Sequence, residues 1–332
     1  MRTLLLAVLF TLTASPAFGQ STRPAEARPN VAIVIHGGAG TIRRDEMSAE
    51  REAEYRAALE TALRAGEKVL IDGGSAVEAV EATIVTMEDS PLFNAGKGAV
   101  LTADGKAELD ASLMVSGDNE VGATSGAVAS VTNVKNPIMA ARAVLEKSPH
   151  VLLVSGGAEL FAVEVGLEIV DNDYFLTERR EEQQEKNESG LRPGQKHGTV
   201  GCVALDANGI IAAGTSTGGL SGKQYGRVGD SPIVGAGTWA DRRVGVSCTG
   251  QGETFINLGI AHDLAARVKY ANASGGEAAK AVIDAVGEAG ALGGLVGLDA
   301  DGQPFDAFNT DGMYRGWITP DGELTIKIYG DE

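Results

Sequence analysis

The sequence predicts a mixed α/β fold built on largely antiparallel sheets, and three observations carry that prediction. Apolar segments with helical spacing alternate with short β-branched runs along the whole chain. Several of those runs are joined by tight turn signals, which antiparallel strands permit and parallel ones do not. Glycine supplies 45 of 332 residues and clusters between apolar segments, where the backbone must turn sharply or approach something closely. With 43% hydrophobic residues, the chain has enough apolar material for one large core.

In chain order, Met1-Arg2, the apolar run Leu4 to Phe10 and the small residues Ala17-Phe18-Gly19 predict a secretory signal peptide over residues 1–19. It is too short for a membrane span, and residues 20–30 read as a polar leader. Val31 to Ile35 is a buried strand opening into His36-Gly37-Gly38-Ala39-Gly40. Ser48 to Ile71 is a helix with Tyr55, Leu59, Leu63 and Leu70 on one face. Ser75 caps a second helix through Met87, with Glu78 completing a capping box. Strands follow at Ala99 to Thr102 and Leu109 to Val115, joined by Asp104-Gly105, and another at Gly126 to Val131. Pro137 to Lys147 is a helix and Val151 to Val154 a strand. Residues 171–196 are crowded with charge and read as a solvated linker. Strands resume at Thr199 to Leu205 and Ile210 to Ala213 across the turn Ala207-Asn208-Gly209, then at Val244 to Cys248. Helices over Phe255 to Tyr270 and Glu277 to Glu288, and strands at Gly297 to Ala300 and Leu324 to Ile328, complete a single domain over 31–332.

A net charge of −17 argues against nucleic acid or an anionic membrane as a partner. Cys202 and Cys248 sit in apolar strands and read as two buried free thiols.

Three chemistries compete. Gly214-Thr215-Ser216-Thr217-Gly218 matches the G-x-S-x-G nucleophile elbow, with His36-Gly37-Gly38 as an oxyanion loop. The match is formal, because Gly218-Gly219-Leu220-Ser221-Gly222 cannot start the helix an elbow requires. The glycine clusters suggest a nucleotide binder, yet neither the phosphate-loop nor the dinucleotide fingerprint is present. A non-catalytic binding protein remains the alternative from outside enzymology, and it predicts a stable single chain. The third reading starts from His197-Gly198-Thr199-Val200-Gly201. A threonine opening a strand directly after a glycine suits intramolecular cleavage, which would leave Thr199 with a free α-amine beside its own hydroxyl. Such an amine titrates near ~8 and can act as the general base. Downstream, Arg227 and Asp230 within Gly226 to Pro232 can hold the carboxylate and ammonium of one amino acid. Ser247-Cys248-Thr249-Gly250-Gln251-Gly252-Glu253 offers a hydroxyl and backbone N–H groups for an oxyanion.

With these motifs, and with Pro91 to Gly98, Glu108-Leu109-Asp110-Ala111 and Thr215 to Gly219, the sequence resembles the plant-type asparaginase, or isoaspartyl peptidase, family of N-terminal nucleophile hydrolases from about Val31 to its end. The resemblance implies a four-layer αββα sandwich and a precursor cut into an α chain ending at Gly198 and a β chain of residues 199–332. It implies hydrolysis of β-aspartyl dipeptides and asparagine, and a dimer of processed αβ units. By position, Thr199 is the nucleophile and Thr217 its support; Arg227 and Asp230 grip the substrate; Thr249 and Gly250 form the oxyanion hole; Gly252 and Asn94 line the pocket. No catalytic cofactor is implied. A structural sodium ion is, held by main-chain carbonyls of Met87, Glu88, Ser90, Phe93, Ala95 and Lys97. Gly198, where glycosylasparaginases typically carry aspartate, favours the isoaspartyl peptidase branch over that alternative. The signal peptide implies a secreted or periplasmic enzyme.

Overall fold

A computed structural model describes residues 29–117, 122–188 and 198–332. The expected signal peptide, all of the leader before Pro29, residues 189–196 of the expected linker and His197 lie outside the described residues.

The first strand, β1 (Ala32–Gly40), continues through the glycine loop that the sequence placed after it. Helices α1 (Ala49–Ile71) and α2 (Ala76–Glu88) follow, the second closed by the expected reciprocal Ser75–Glu78 box. A cap of this kind stabilises a helix by about 1 kcal/mol. Next come β2 (Leu109–Val115), β3 (Thr124–Val131), α3 (Pro137–Lys147), β4 (Leu152–Val154), α4 (Ser155–Glu164) and α5 (Glu178–Glu188). The second half of the chain runs β5 (Val200–Leu205), β6 (Ile211–Thr217), β7 (Thr238–Ala240), β8 (Val244–Gly250), α6 (Gly252–Leu258), α7 (Ile260–Ala271), α8 (Gly275–Glu288), β9 (Gly293–Asp299), β10 (Pro304–Phe308), β11 (Gly312–Ile318) and β12 (Leu324–Tyr329).

Eight strands form one sheet in the order β12-β11-β1-β5-β6-β2-β3-β4, and four form a second in the order β10-β9-β8-β7. Every pairing is antiparallel except β3 with β4. Helices α1, α2 and α3 cover one face of the large sheet, the small sheet packs on its other face, and α7 and α8 close the far side. This is the expected αββα sandwich. Strand periodicity explains how one strand serves two layers. Ile33, Ile35, Cys202 and Ala204 point into the helix-side core, while Ala32, Val34, Val203 and Leu205 point between the sheets.

A β-bulge interrupts β1, where His36 pairs with Arg315 but Gly38 pairs with Tyr314, leaving Gly37 as the extra residue. Gly37 therefore faces Phe93 on the helix side, and Ala39 falls between the sheets with Val34.

The structure corrects several expectations. Residues 172–175 form a 3-10 turn with Phe175 fully buried, and α5 buries Arg180, whose Nε donates to the Gly98 carbonyl at 2.7 Å. The first half of the supposed solvated linker is thus docked structure. Ala99 to Thr102 is not a strand; only Leu101 bridges to Ala107. The helix expected over Phe255 to Tyr270 is broken by Gly259 in the left-handed conformation, φ +60°. Both cysteines are buried free thiols, as expected, and they point into different cores.

Candidate active site

Thr199 stands at the entry to β5, and antiparallel pairing with β6 brings the end of that strand against it, Val200 lying opposite Ser216. The Thr199 hydroxyl donates to Thr217 Oγ1 at 3.1 Å, and the Thr217 hydroxyl donates to the Gly198 carbonyl at 3.2 Å. A backbone N–H at Gly219 donates to Thr217 Oγ1 at 3.0 Å and fixes that side chain. The Gly198 carbonyl also accepts from Asn94 Nδ2 at 2.6 Å. Asn94 is itself pinned by the Val100 N–H on its Oδ1 at 2.8 Å and by donation to the Gly219 carbonyl at 2.9 Å. The carbonyl beside the threonine nucleophile candidate therefore carries two preorganised donors, the arrangement that stabilises an oxyanion. Gly38, at φ +108°, makes this approach possible, because a Cβ there would sit 2.8 Å from Gly198 Cα and 3.1 Å from Thr199 N.

On its other side, the Thr199 carbonyl accepts from His36 Nδ1 at 3.0 Å. Complete burial pushes the His36 pKa down to about 3, so the ring is neutral and its Nε2 accepts from the Ser247 hydroxyl at 2.9 Å. Behind it runs a buried chain of hydroxyls between the sheets. Ser247 Oγ and Thr215 Oγ1 lie 2.6 Å apart, Thr238 donates to Thr215 at 2.6 Å, and Ser112 lies 2.8 Å from Thr238. Ser112 also donates to the Ser231 carbonyl at 2.6 Å, one residue from Asp230. The sequence reading missed this chain. Its only signal was a histidine, one of four in the protein, placed directly before the glycine loop.

The substrate-gripping candidates converge on the same point. Thr199, Thr217, Arg227, Asp230 and Gly250 line one cavity with Gly198, and its volume is only ≈ 10 Å³ while Gly198 occupies its mouth. Asp230 is buried, and its Oδ2 has no hydrogen-bond partner. Desolvation pushes its pKa up to about 7, against the pull of Arg227. A buried carboxylate oxygen without a donor is costly, and an incoming ammonium would relieve it. Arg227 is held by Glu253 through Nε at 2.8 Å and Nη2 at 2.9 Å, which leaves Nη1 beside Gly219 and Gly229. Gly252 packs under this loop, since a Cβ there would lie 2.9 Å from both Arg227 Nη2 and the Asp230 N–H. Gly250 adopts φ +154° at the end of β8. Thr249 is fully buried, and its hydroxyl accepts weakly from the Ala39 N–H at 3.4 Å rather than lining the cavity.

Behind the pocket floor lies a buried charge cluster that the sequence reading also missed. Lys223 Nζ donates to the Glu108 carbonyl at 2.9 Å and stands 4.0 Å from Asp110, whose Oδ1 accepts from the Ser130 N–H. Burial lowers the Lys223 pKa and raises that of Asp110, and each opposes the other's shift.

Ser216, the nucleophile of the discarded elbow reading, is fully buried in β6 and donates to Glu88 Oε1 at 2.6 Å. No helix follows it, so that alternative has no structural basis. The loop from Met87 to Lys97 turns back on itself, and Gly96, at φ +50°, lies directly against the Glu88 carbonyl. Among the described residues no cluster of three His, Cys, Asp or Glu side chains could hold a metal ion.

A family model described as asparaginase matches residues 29–328. The isoaspartyl peptidase of Escherichia coli (strain K12) is 44% identical over 313 residues, covering 90% of this chain and 96% of that protein. A probable isoaspartyl peptidase/L-asparaginase 2 of Arabidopsis thaliana is 40% identical over 327 residues, covering 90% and 98%. An isoaspartyl peptidase/L-asparaginase of Homo sapiens is 44% identical over 239 residues, covering 70% and 75%. Joined to a two-sheet sandwich whose central strands bring Thr199, Thr217, Arg227 and Asp230 to one cavity, these likenesses establish that the chain belongs to the asparaginase family that includes the isoaspartyl peptidases.

Proposed function

We propose that the protein is a self-processing hydrolase that releases L-aspartate from β-aspartyl dipeptides and L-asparagine, with Thr199 as its N-terminal nucleophile. The observation that carries this reading is the Gly198 carbonyl, held by Asn94 and Thr217 at the mouth of a cavity containing Arg227 and a partnerless Asp230 oxygen.

In the precursor, Thr199 Oγ1 attacks the Gly198 carbonyl carbon, and its proton passes to the Thr199 nitrogen, which leaves as the amine. The oxyanion forms against Asn94 Nδ2 and the Thr217 hydroxyl. Collapse breaks the Gly198–Thr199 C–N bond and leaves an ester, which water hydrolyses to a free carboxylate on Gly198 and a free amine on Thr199. That amine then serves as base in each later turnover. A substrate enters with its α-carboxylate on Arg227 and its α-ammonium on Asp230, which places the β-carbonyl over Thr199 Oγ1. Attack forms a β-aspartyl ester, the amine or ammonia departs with a proton, and water releases aspartate. Gly250, with Thr249 beside it, supplies the oxyanion donors; each such donor is worth roughly 3–4 kcal/mol.

The chemistry needs no cofactor. A sodium ion held by the carbonyls of Met87, Glu88, Ser90, Phe93, Ala95 and Lys97 would suit the folded-back loop, in which Gly96 lies against the Glu88 carbonyl, because main-chain oxygens suit a hard cation. It would brace Asn94, which sits inside that loop. A dimer of processed αβ units and export by the N-terminal signal belong to the same reading. Intact mass under denaturing, reducing conditions tests its core. Two fragments, the smaller beginning at Thr199, are expected; one chain that persists through prolonged incubation would exclude self-processing.

A further inference from the structure

We infer a second subsite, which binds the carboxylate of the departing amino acid and makes the enzyme favour β-aspartyl dipeptides over asparagine. The inference rests on the reading above, in which Thr199 attacks a β-aspartyl amide. An amide carbon under attack carries three groups: the oxygen, the aspartyl chain and the leaving nitrogen. The aspartyl chain is committed to the cavity of Arg227 and Asp230. A second cavity, of ≈ 120 Å³, shares Gly198 with that one and no other lining residue. At ~30 Å³ per water it has room for about four water-sized groups, enough for a small residue beyond the scissile nitrogen.

The walls of this cavity are chemically specific. Gly37, Gly38 and Gly40 bring bare backbone to one side, and the rings of Phe93, Tyr55 and Tyr314 form an apolar wall on another. Tyr55 and Tyr314 are stacked at 4.1 Å, which makes that wall rigid. Arg179 supplies a guanidinium, aimed by donation from its Nη1 to the Tyr55 hydroxyl at 3.0 Å. The neighbouring Arg180 is spent on the Gly98 carbonyl and on Gln183 at 2.9 Å, and it anchors α5 so that Arg179 is held over the cavity. Among the described residues, Arg179 forms no ion pair. A cation, an apolar wall and open backbone, in a cavity that meets the amino-acid pocket at Gly198, match an amino acid leaving group with a free α-carboxylate. Ammonia, the leaving group from asparagine, has no use for any of them. When the C–N bond breaks, the departing amine takes its proton from the Thr199 ammonium, and its carboxylate stays on Arg179 until the product leaves.

The test uses mature protein, confirmed by intact mass to retain residues through Gly198, and three substrates: β-aspartyl-alanine, its C-terminal amide, and L-asparagine. The readout is the ratio of kcat/KM for the free acid to that for the amide. The native ratio is expected to be about tenfold to a hundredfold, carried in KM, as for loss of a charge-assisted hydrogen-bond pair. Arg179→Ala should bring the ratio close to one, Arg179→Lys should restore part of it, and Tyr55→Phe should give an intermediate value. A native ratio near one, or an Arg179→Ala ratio equal to the native, overturns the subsite. Native protein inert on all three substrates defeats the broader reading instead, so the two failures are distinguishable.

Discussion

The two carbonyl groups that flank the Thr199 nitrogen are held in opposite ways. Upstream, the Gly198 oxygen takes two side-chain donors at the edge of the cavity. Downstream, the Thr199 oxygen is held by a fully buried, neutral imidazole backed by hydroxyls that reach across both sheets. The upstream group is polarised for attack, while the downstream one is immobilised. Under the proposed self-cleavage Thr199 becomes a chain terminus, and termini fray unless something ties them down. The difference teaches that one peptide bond can join a part made to be cut to a part made to stay put.

The sharpest way to break this contrast is Thr199→Ala, which should abolish both self-cleavage and hydrolysis. Intact mass should then show one chain, and persistent cutting at 198–199 would remove Thr199 from its role. Arg227→Ala should divide the two functions. Fragments should appear as in the native protein, while kcat/KM falls about a hundredfold, since a charged pair to substrate is worth about 1.5–3 kcal/mol. Equal loss of both would make Arg227 a structural residue.

His36 tests the downstream side in a subtler way. Asparagine reproduces a donor at the Nδ1 position, whereas glutamine reproduces the Nε2 position. His36→Asn should therefore keep kcat within about threefold, and His36→Gln should lower kcat by about tenfold at similar KM, the cost of one hydrogen bond. Parallel losses of melting temperature and activity in both variants would reduce His36 to a packing residue.

The smallest effect concerns stability. The Asp230 carboxyl titrates near ~4 when unfolded and near 7 when folded. Between those values the folded state binds more protons, so stability falls as pH rises, and above 7 the loss is constant. Asp230→Asn should accordingly raise the melting temperature by about 2–4 °C at pH 8 and by nothing at pH 4, while abolishing substrate grip. An unchanged melting temperature at pH 8 would mean that Asp230 finds a partner in solution.

Much of the upstream face and the substrate pocket was legible in the sequence. Gly198-Thr199, Thr217 and the Arg227–Asp230 turn are local features, and strand pairing alone brings the first three together. The hydroxyl chain was not legible. Its links join residues 163 and 211 positions apart, and each member reads locally as an ordinary β-branched or small strand residue. Helix α5 was hidden for another reason. Its composition is that of a solvated segment, and one arginine stem and the preceding Phe175 carry the docking. Strand β11 escaped because it buries Arg315, which is neutralised by Asp306 at 2.9 Å only once the fold exists.

The extra residue in β1 ties the site to chain length as well as to composition. Because side chains alternate along a strand, Gly37 acts as a phase shift, and everything after it is read in the opposite frame. Removing that one residue would let β1 pair as a regular strand, with Ala39 still between the sheets opposite Met313, but it would erase the kink between His36 and Gly38. A side chain there is excluded as well, because a Cβ at Gly37 would lie 2.7 Å from the Phe93 ring and 3.1 Å from Tyr314 Cβ, so a change of identity should cost as much as an insertion or deletion.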